Sequence, residues 1–183
     1  MSLFIGVIRS SKTHVLDVIP AHQTERMTAT VDSPRSTPSR AHVATLPVLV
    51  YGTLRRHGGA NSRLFTGRAT YGETIRVEGY RLLSNGHFPY AIPTPGSEIT
   101  VEVVHLSQER RGETIGRLDA LEGYREDAPE CSLYTREIVS WNASDGMLRS
   151  GFMYVPSAST IERIMRDDLT EIPSGDWLSA LTP

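Results

Sequence analysis

Apolar and polar positions fall into regular patterns from about residue 46 onward, and the patterns name most of the elements. Pro47-Val48-Leu49-Val50-Tyr51 is a short apolar run closed by Gly52, the signature of a buried strand. Ile75 and Val77 alternate with Arg76 and Glu78, which predicts a half-exposed strand running on to Leu83, and Asn85-Gly86 supplies a turn. Residues 99–106, 133–141 and 148–155 repeat the two-residue period, with Asp145-Gly146 turning between the last two. Two segments carry a helical period instead. One runs from about Gln108 to Leu121 or Glu122, with Ser107 as N-cap and Gly123 as terminator. The other opens on Ser159, paired with Glu162 as a capping box, and places Ile161, Ile164, Met165 and Leu169 on one face. Five or six strands with a few helices in no strict alternation predict an α+β domain around a small, mixed, barrel-like sheet.

Before residue 46 the pattern is lost. Residues 27–45 are rich in Ser, Thr, Pro and Arg, a composition that buries too little apolar surface to order itself. The expectation is a disordered N-terminal extension over residues 1–45 and one folded domain over residues 46–183. Residues 1–26 admit two readings, a start at Met27 or a targeting segment. Residues 1–8 make a poor signal peptide, because Arg9 and Lys12 follow the apolar run instead of preceding it.

The helix ending at Glu122 holds an anomaly. Its apolar positions are Ile115, Leu118 and Leu121, and at about 100° per residue Glu122 projects between Ile115 and Leu118. Asp119 sits at the edge of the same face. A carboxylate aimed inward is costly unless paired, hydrogen-bonded or protonated. On the helix alone, a salt bridge to an arginine such as Arg136 and a chemical role both explain it. Tyr51-Gly52-Thr53-Leu54 is the second candidate, since backbone N–H groups in a tight strand-to-loop turn can cradle an anion and Gly52 permits close approach. Tyr134 and Arg136 share one face of a later strand, and Tyr154 follows in the next.

Charge and composition narrow the function classes. The net charge of -2 comes without any basic run, so nothing marks a nucleic-acid surface. No stretch reaches the roughly 20 apolar residues of a membrane helix. Cys131 is the only cysteine and the six histidines are scattered, so neither an intramolecular disulfide nor a metal centre is expected, and a cytoplasmic location is. Oligomeric state is not legible.

Taken in order, Tyr51-Gly52-Thr53-Leu54, Phe88-Pro89-Tyr90-Ala91-Ile92, Val101-Glu102-Val103, Leu118-Asp119-Ala120-Leu121-Glu122-Gly123, Tyr134-x-Arg136 and Tyr154 resemble the gamma-glutamylcyclotransferase-like superfamily, with the gamma-glutamylamine cyclotransferase group as the most similar branch. The resemblance spans about residues 47–156, and Pro173 to Trp177 is similar to the tail of some bacterial members. It implies a barrel-like α+β fold, Glu122 as general acid/base, and residues Tyr51, Gly52, Thr53 and Leu54 as the holder of a γ-glutamyl group, with Tyr134 lining the pocket. The implied reaction releases 5-oxoproline from a γ-glutamyl amine or amino acid without a cofactor. The alternatives are a non-catalytic module that binds a small metabolite on the same fold, and a biosynthetic enzyme that removes a γ-glutamyl protecting group. Residues 55–70 and 84–98 are expected to shape the leaving-group side.

Overall fold

The computed structural model describes residues 38–181. Six strands form one mixed sheet in the order β4-β5-β1-β3-β2-β6, which curls into a half-barrel, as the α+β expectation required. The strands are β1 (Val48–Val50), β2 (Ala69–Ser84), β3 (Pro89–Leu106), β4 (Tyr134–Asn142), β5 (Leu148–Pro156) and β6 (Thr170–Ile172). The β1–β5 pair is parallel; the other four pairs are antiparallel. β6 had no signal in the sequence, because its three residues are too short to show a period.

The central strands bury both faces. Leu49, Val101, Val103, Met153 and Val155 point to one side, where Trp141 and Trp177 close the core. Val48, Val50, Val104, Phe152 and Tyr154 point to the other, where α2 (Arg111–Glu122) covers them with Ile115 and Leu118. The two-residue period of a strand makes this division automatic.

Several boundaries differ from the sequence reading. A 3₁₀ turn (Gln108–Arg110) precedes α2, and the Ser107 side chain makes no capping bond. α3 (Ala158–Ile164) is capped by Ser157, whose hydroxyl accepts from the Thr160 N–H, and not by Ser159. Ser157 holds the extended backbone a cap requires directly after β5 ends, so the helix starts two residues early. It also stops at Ile164, leaving Met165 exposed. Leu121, counted as a core position, is 44% exposed.

The N-terminal boundary changes most. Arg40–Val43 form a short helix, α1, capped by Ser39, and Val43 is fully buried in the cluster beneath α2. The buried Arg111 guanidinium donates to the Val43 carbonyl at 3.1 Å and also to that of Leu46. A disordered extension through residue 45 is therefore incorrect for residues 39–45: one apolar side chain and two carbonyl contacts hold a segment whose composition is otherwise that of a tail. Residues 1–37 lie outside the described residues.

Candidate active site

The loop after β1 is held from three sides. The Arg55 N–H donates to the Gly52 carbonyl at 3.0 Å, and that of Gly58 to the Arg55 carbonyl at 2.8 Å, so residues 52–58 are two linked turns. Arg55 is buried and pairs with Asp176 at 2.5 Å, while the Trp177 indole donates to the Gly58 carbonyl at 2.8 Å. The segment Pro173 to Trp177 thus braces the loop. A Cβ on Gly52 would lie 2.9 Å from Pro89 Cγ, so this glycine makes room for a neighbouring proline and not only for a ligand. Thr53 and Leu54 keep backbone N–H groups that donate no hydrogen bond among the described residues. The Thr53 hydroxyl accepts from Asn61 at 2.9 Å.

At the end of α2 the helix stops on Gly123, in the left-handed conformation (φ 61°), and the Tyr124 N–H returns to the Asp119 carbonyl at 2.8 Å. A Cβ at Gly123 would sit 2.9 Å from the Leu133 side chain. Gly123→Ala is therefore expected to lower the thermal midpoint by about 3–8 °C, from roughly 1–2 kcal/mol of backbone strain. A scan of the variant against wild type measures it.

One turn before Glu122, Asp119 is the centre of a buried network. Its Oδ1 accepts from Arg136 Nη2 at 2.5 Å and from the Tyr154 hydroxyl at 2.7 Å, and its Oδ2 accepts from Arg40 Nη2 at 2.9 Å. Arg136, almost wholly buried, also lies 4.2 Å from the centre of the Tyr124 ring. The two inward carboxylates therefore differ in their partners. Arg136 is the partner of Asp119, not of Glu122.

Glu122 has neither a hydrogen bond nor an ion pair among the described residues. It is half-buried by area, but what lies in front of it is a cleft and not open solvent, and burial pushes its carboxyl up to about 7. Tyr51 and Tyr134 are near enough that the Glu122 charge adds to the effect of burial in raising both hydroxyls well above the ordinary tyrosine value. Both therefore stay neutral and able to donate hydrogen bonds.

The cleft has a volume of about 320 Å³, and Tyr51, Gly52, Thr53, Leu54, Glu122 and Tyr134 all line it. Positions spread over more than 80 residues of sequence thus meet in one place. Asn61 enters from the first of the two segments expected to shape the leaving-group side, and Phe88, Pro89 and Tyr90 enter from the second. Thr160 and Arg163 of α3 also line it, and no local pattern marks them, because their approach depends on where α3 docks. Among the described residues no group of three or more His, Cys, Asp or Glu side chains is placed to hold a metal ion, and no helix is long and apolar enough to cross a membrane.

The site is thus a cleft on a half-barrel α+β domain, lined by the strand-to-loop turn after β1 and by one carboxyl that is unpaired among the described residues. Residues 48–179 match the family described as gamma-glutamyl cyclotransferase, AIG2-like, and the chain belongs to that family. It is 32% identical over 131 residues to the gamma-glutamylcyclotransferase family protein YtfP of Escherichia coli, covering 72% of this chain and 95% of that protein. The fold is also similar to solved structures. Bacillus subtilis YkqA superposes with a TM-score of 0.50 at 22% identity, over 73% of this chain and 40% of its own. Kluyveromyces lactis allophanate hydrolase superposes with a TM-score of 0.51 at 15% identity, over 79% of this chain and 22% of its own.

Proposed function

We propose that this protein releases 5-oxoproline from a γ-glutamyl amine or γ-glutamyl amino acid. The observation that carries the reading is the unpaired, desolvated Glu122 carboxyl in the same cleft that Thr53 and Leu54 line, two residues whose N–H groups donate no hydrogen bond among the described residues. Those two N–H groups hold the α-carboxylate of the γ-glutamyl moiety, which fixes its α-ammonium beside Glu122. Glu122 accepts a proton from the ammonium. The freed amine attacks the γ-carbonyl carbon, a new C–N bond closes the five-membered ring, and the bond to the leaving nitrogen breaks as Glu122 returns the proton to it, while the ring nitrogen's second proton passes to the departing amine, which leaves as an ammonium. No water or further reactant is consumed. Neutral Tyr51 and Tyr134 are hydrogen-bond donors on the cleft wall, and family membership supports the reaction type.

An exposed glutamate with a pKa of about 4.3 would be a weak base for an ammonium near neutrality. Burial brings Glu122 closer to its task. Because the base must be ionised, kcat/KM is expected to fall tenfold per pH unit below about 7, and not to hold down to pH 5 as an exposed glutamate would allow. The experiment is 5-oxoproline release by the full chain from a panel of γ-glutamyl amino acids, γ-glutamyl-ε-lysine and other γ-glutamylamines, followed over pH. Tight binding of these compounds with no 5-oxoproline formed would favour a binding module instead.

A further inference from the structure

The cleft contains more recognition chemistry than the γ-glutamyl group uses. The N–H groups of Thr53 and Leu54 and the carboxyl of Glu122 account for that half of the substrate. Arg163 remains. Among the described residues lining the cleft it is the one cation, as Glu122 is the one carboxylate, and its guanidinium makes no hydrogen bond or ion pair among the described residues. Its charge reaches both Tyr90 and Tyr134, which places it on the wall those two rings form. Asp167 also acts on Tyr90 but does not line the cleft.

Three large apolar side chains of the lining are exposed: Phe88 at 39%, Leu121 at 44% and Leu133 at 50%. Leu121 adjoins Glu122 in sequence, Leu133 packs close to Gly123, and Phe88 stands edge-on to Tyr90 with ring centres 5.1 Å apart. All three line the cleft that Arg163 also lines. Exposed apolar groups gathered at a cleft, with an unpaired cation beside them, fit a ligand that is apolar on one side and anionic on the other.

We propose that this outer part of the cleft is a leaving-group subsite for an amino acid with an apolar side chain, whose carboxylate pairs with Arg163 and whose side chain lies against Phe88, Leu121 and Leu133. The proposal rests on the cyclotransferase reading of Glu122 and refines it. It disfavours leaving groups with a distal cation, which Arg163 repels. A charge-assisted pair at a partly exposed site contributes about a tenfold preference for the carboxylate.

The test compares γ-glutamyl-leucine with γ-glutamyl-isopentylamine, which differ only in that carboxylate, and with γ-glutamyl-glycine, which lacks the side chain. In the wild-type full chain, kcat/KM for γ-glutamyl-leucine is expected to exceed each of the others by about tenfold. In Arg163→Met the preference over the isopentylamide falls to about one, and in Leu133→Ser the preference over glycine shrinks. An equal loss on leucine and isopentylamine compounds in Arg163→Met would place Arg163 on the γ-glutamyl half or in a purely structural role, and would overturn the subsite. Turnover of other γ-glutamylamines but none of these three would overturn the subsite, while absence of 5-oxoproline from these three and from the whole γ-glutamyl panel would instead overturn the cyclotransferase reading. The subsite is then read from dissociation constants of the same compounds by calorimetry: a carboxylate preference abolished by Arg163→Met supports it, and equal affinities sink it.

Discussion

Glu122→Gln is expected to reduce 5-oxoproline release by about 10²- to 10⁴-fold, the range a positioned general acid/base contributes. Glutamine keeps the shape of the side chain but can neither take the ammonium proton nor return it. The same substitution should raise stability, and only over part of the pH range. The Glu122 carboxyl has a pKa of about 7 when folded and near 4.5 when unfolded, so the fold favours its protonated form. That contribution is complete below pH 4.5 and is lost as pH rises to about 7, where the ionised carboxylate opposes folding. Relative to wild type, the variant should therefore be level at pH 4 and more stable by about 2 kcal/mol at pH 8, after discounting for partial exposure. Urea unfolding at the two pH values gives the measurement. A variant that loses activity and gains stability at pH 8 is the behaviour of a carboxyl retained for chemistry. Unchanged activity would remove Glu122 from the reaction.

Asp119→Ala should do the reverse, with its main effect on folding. Three donors converge on Asp119, and two of them, Arg136 and Tyr154, are buried. Removing the carboxylate leaves the Arg136 charge without its partner in the interior, which costs about 3–5 kcal/mol. That is a large part of the roughly 5–15 kcal/mol that stabilises an ordinary domain. The urea midpoint should fall accordingly, and Asp119→Asn, which can still accept from Tyr154, should fall less. The two carboxylates are then distinguished by experiment: one variant weakens the fold, the other strengthens it at high pH. If Asp119→Asn abolished turnover while its folded fraction and the midpoint near pH 7 were intact, Asp119 and not Glu122 would carry the proton.

Arg40 gives the Asp119 network a feature beyond the family match, which begins at residue 48. Arg40 donates to Asp119, its own N–H donates to Glu126 at 2.5 Å, and Arg136 reaches the Pro38 carbonyl at 3.4 Å. Residues 38–43 therefore clamp the C-terminal turn of the helix that presents Glu122. Nothing in their composition announces this, since polar, proline-containing sequence reads as disorder wherever its contacts lie far away in the chain.

The sequence by itself determined the strands β1, β4 and β5, the later parts of β2 and β3, the run of α2 to its glycine stop, and the suspicion attached to Glu122. Each depends on local period: two residues for strands, 3.6 for helices, and a charged residue that breaks the period. It also brought the loop Tyr51 to Leu54 and Tyr134 under suspicion. It did not separate Asp119 from Glu122, because two inward carboxylates one turn apart look alike until their partners are known. The tertiary structure tells their environments apart by placing Arg136, Tyr154 and Arg40 around Asp119, while Glu122 has no hydrogen bond or ion pair among the described residues. It alone placed α3 so that Arg163 faces the cleft, anchored α1 under α2, and braced the loop with Asp176 and Trp177. The contacts that anchor α1 and brace the loop join residues 65 to 121 positions apart, and no local pattern encodes which distant side chain will arrive.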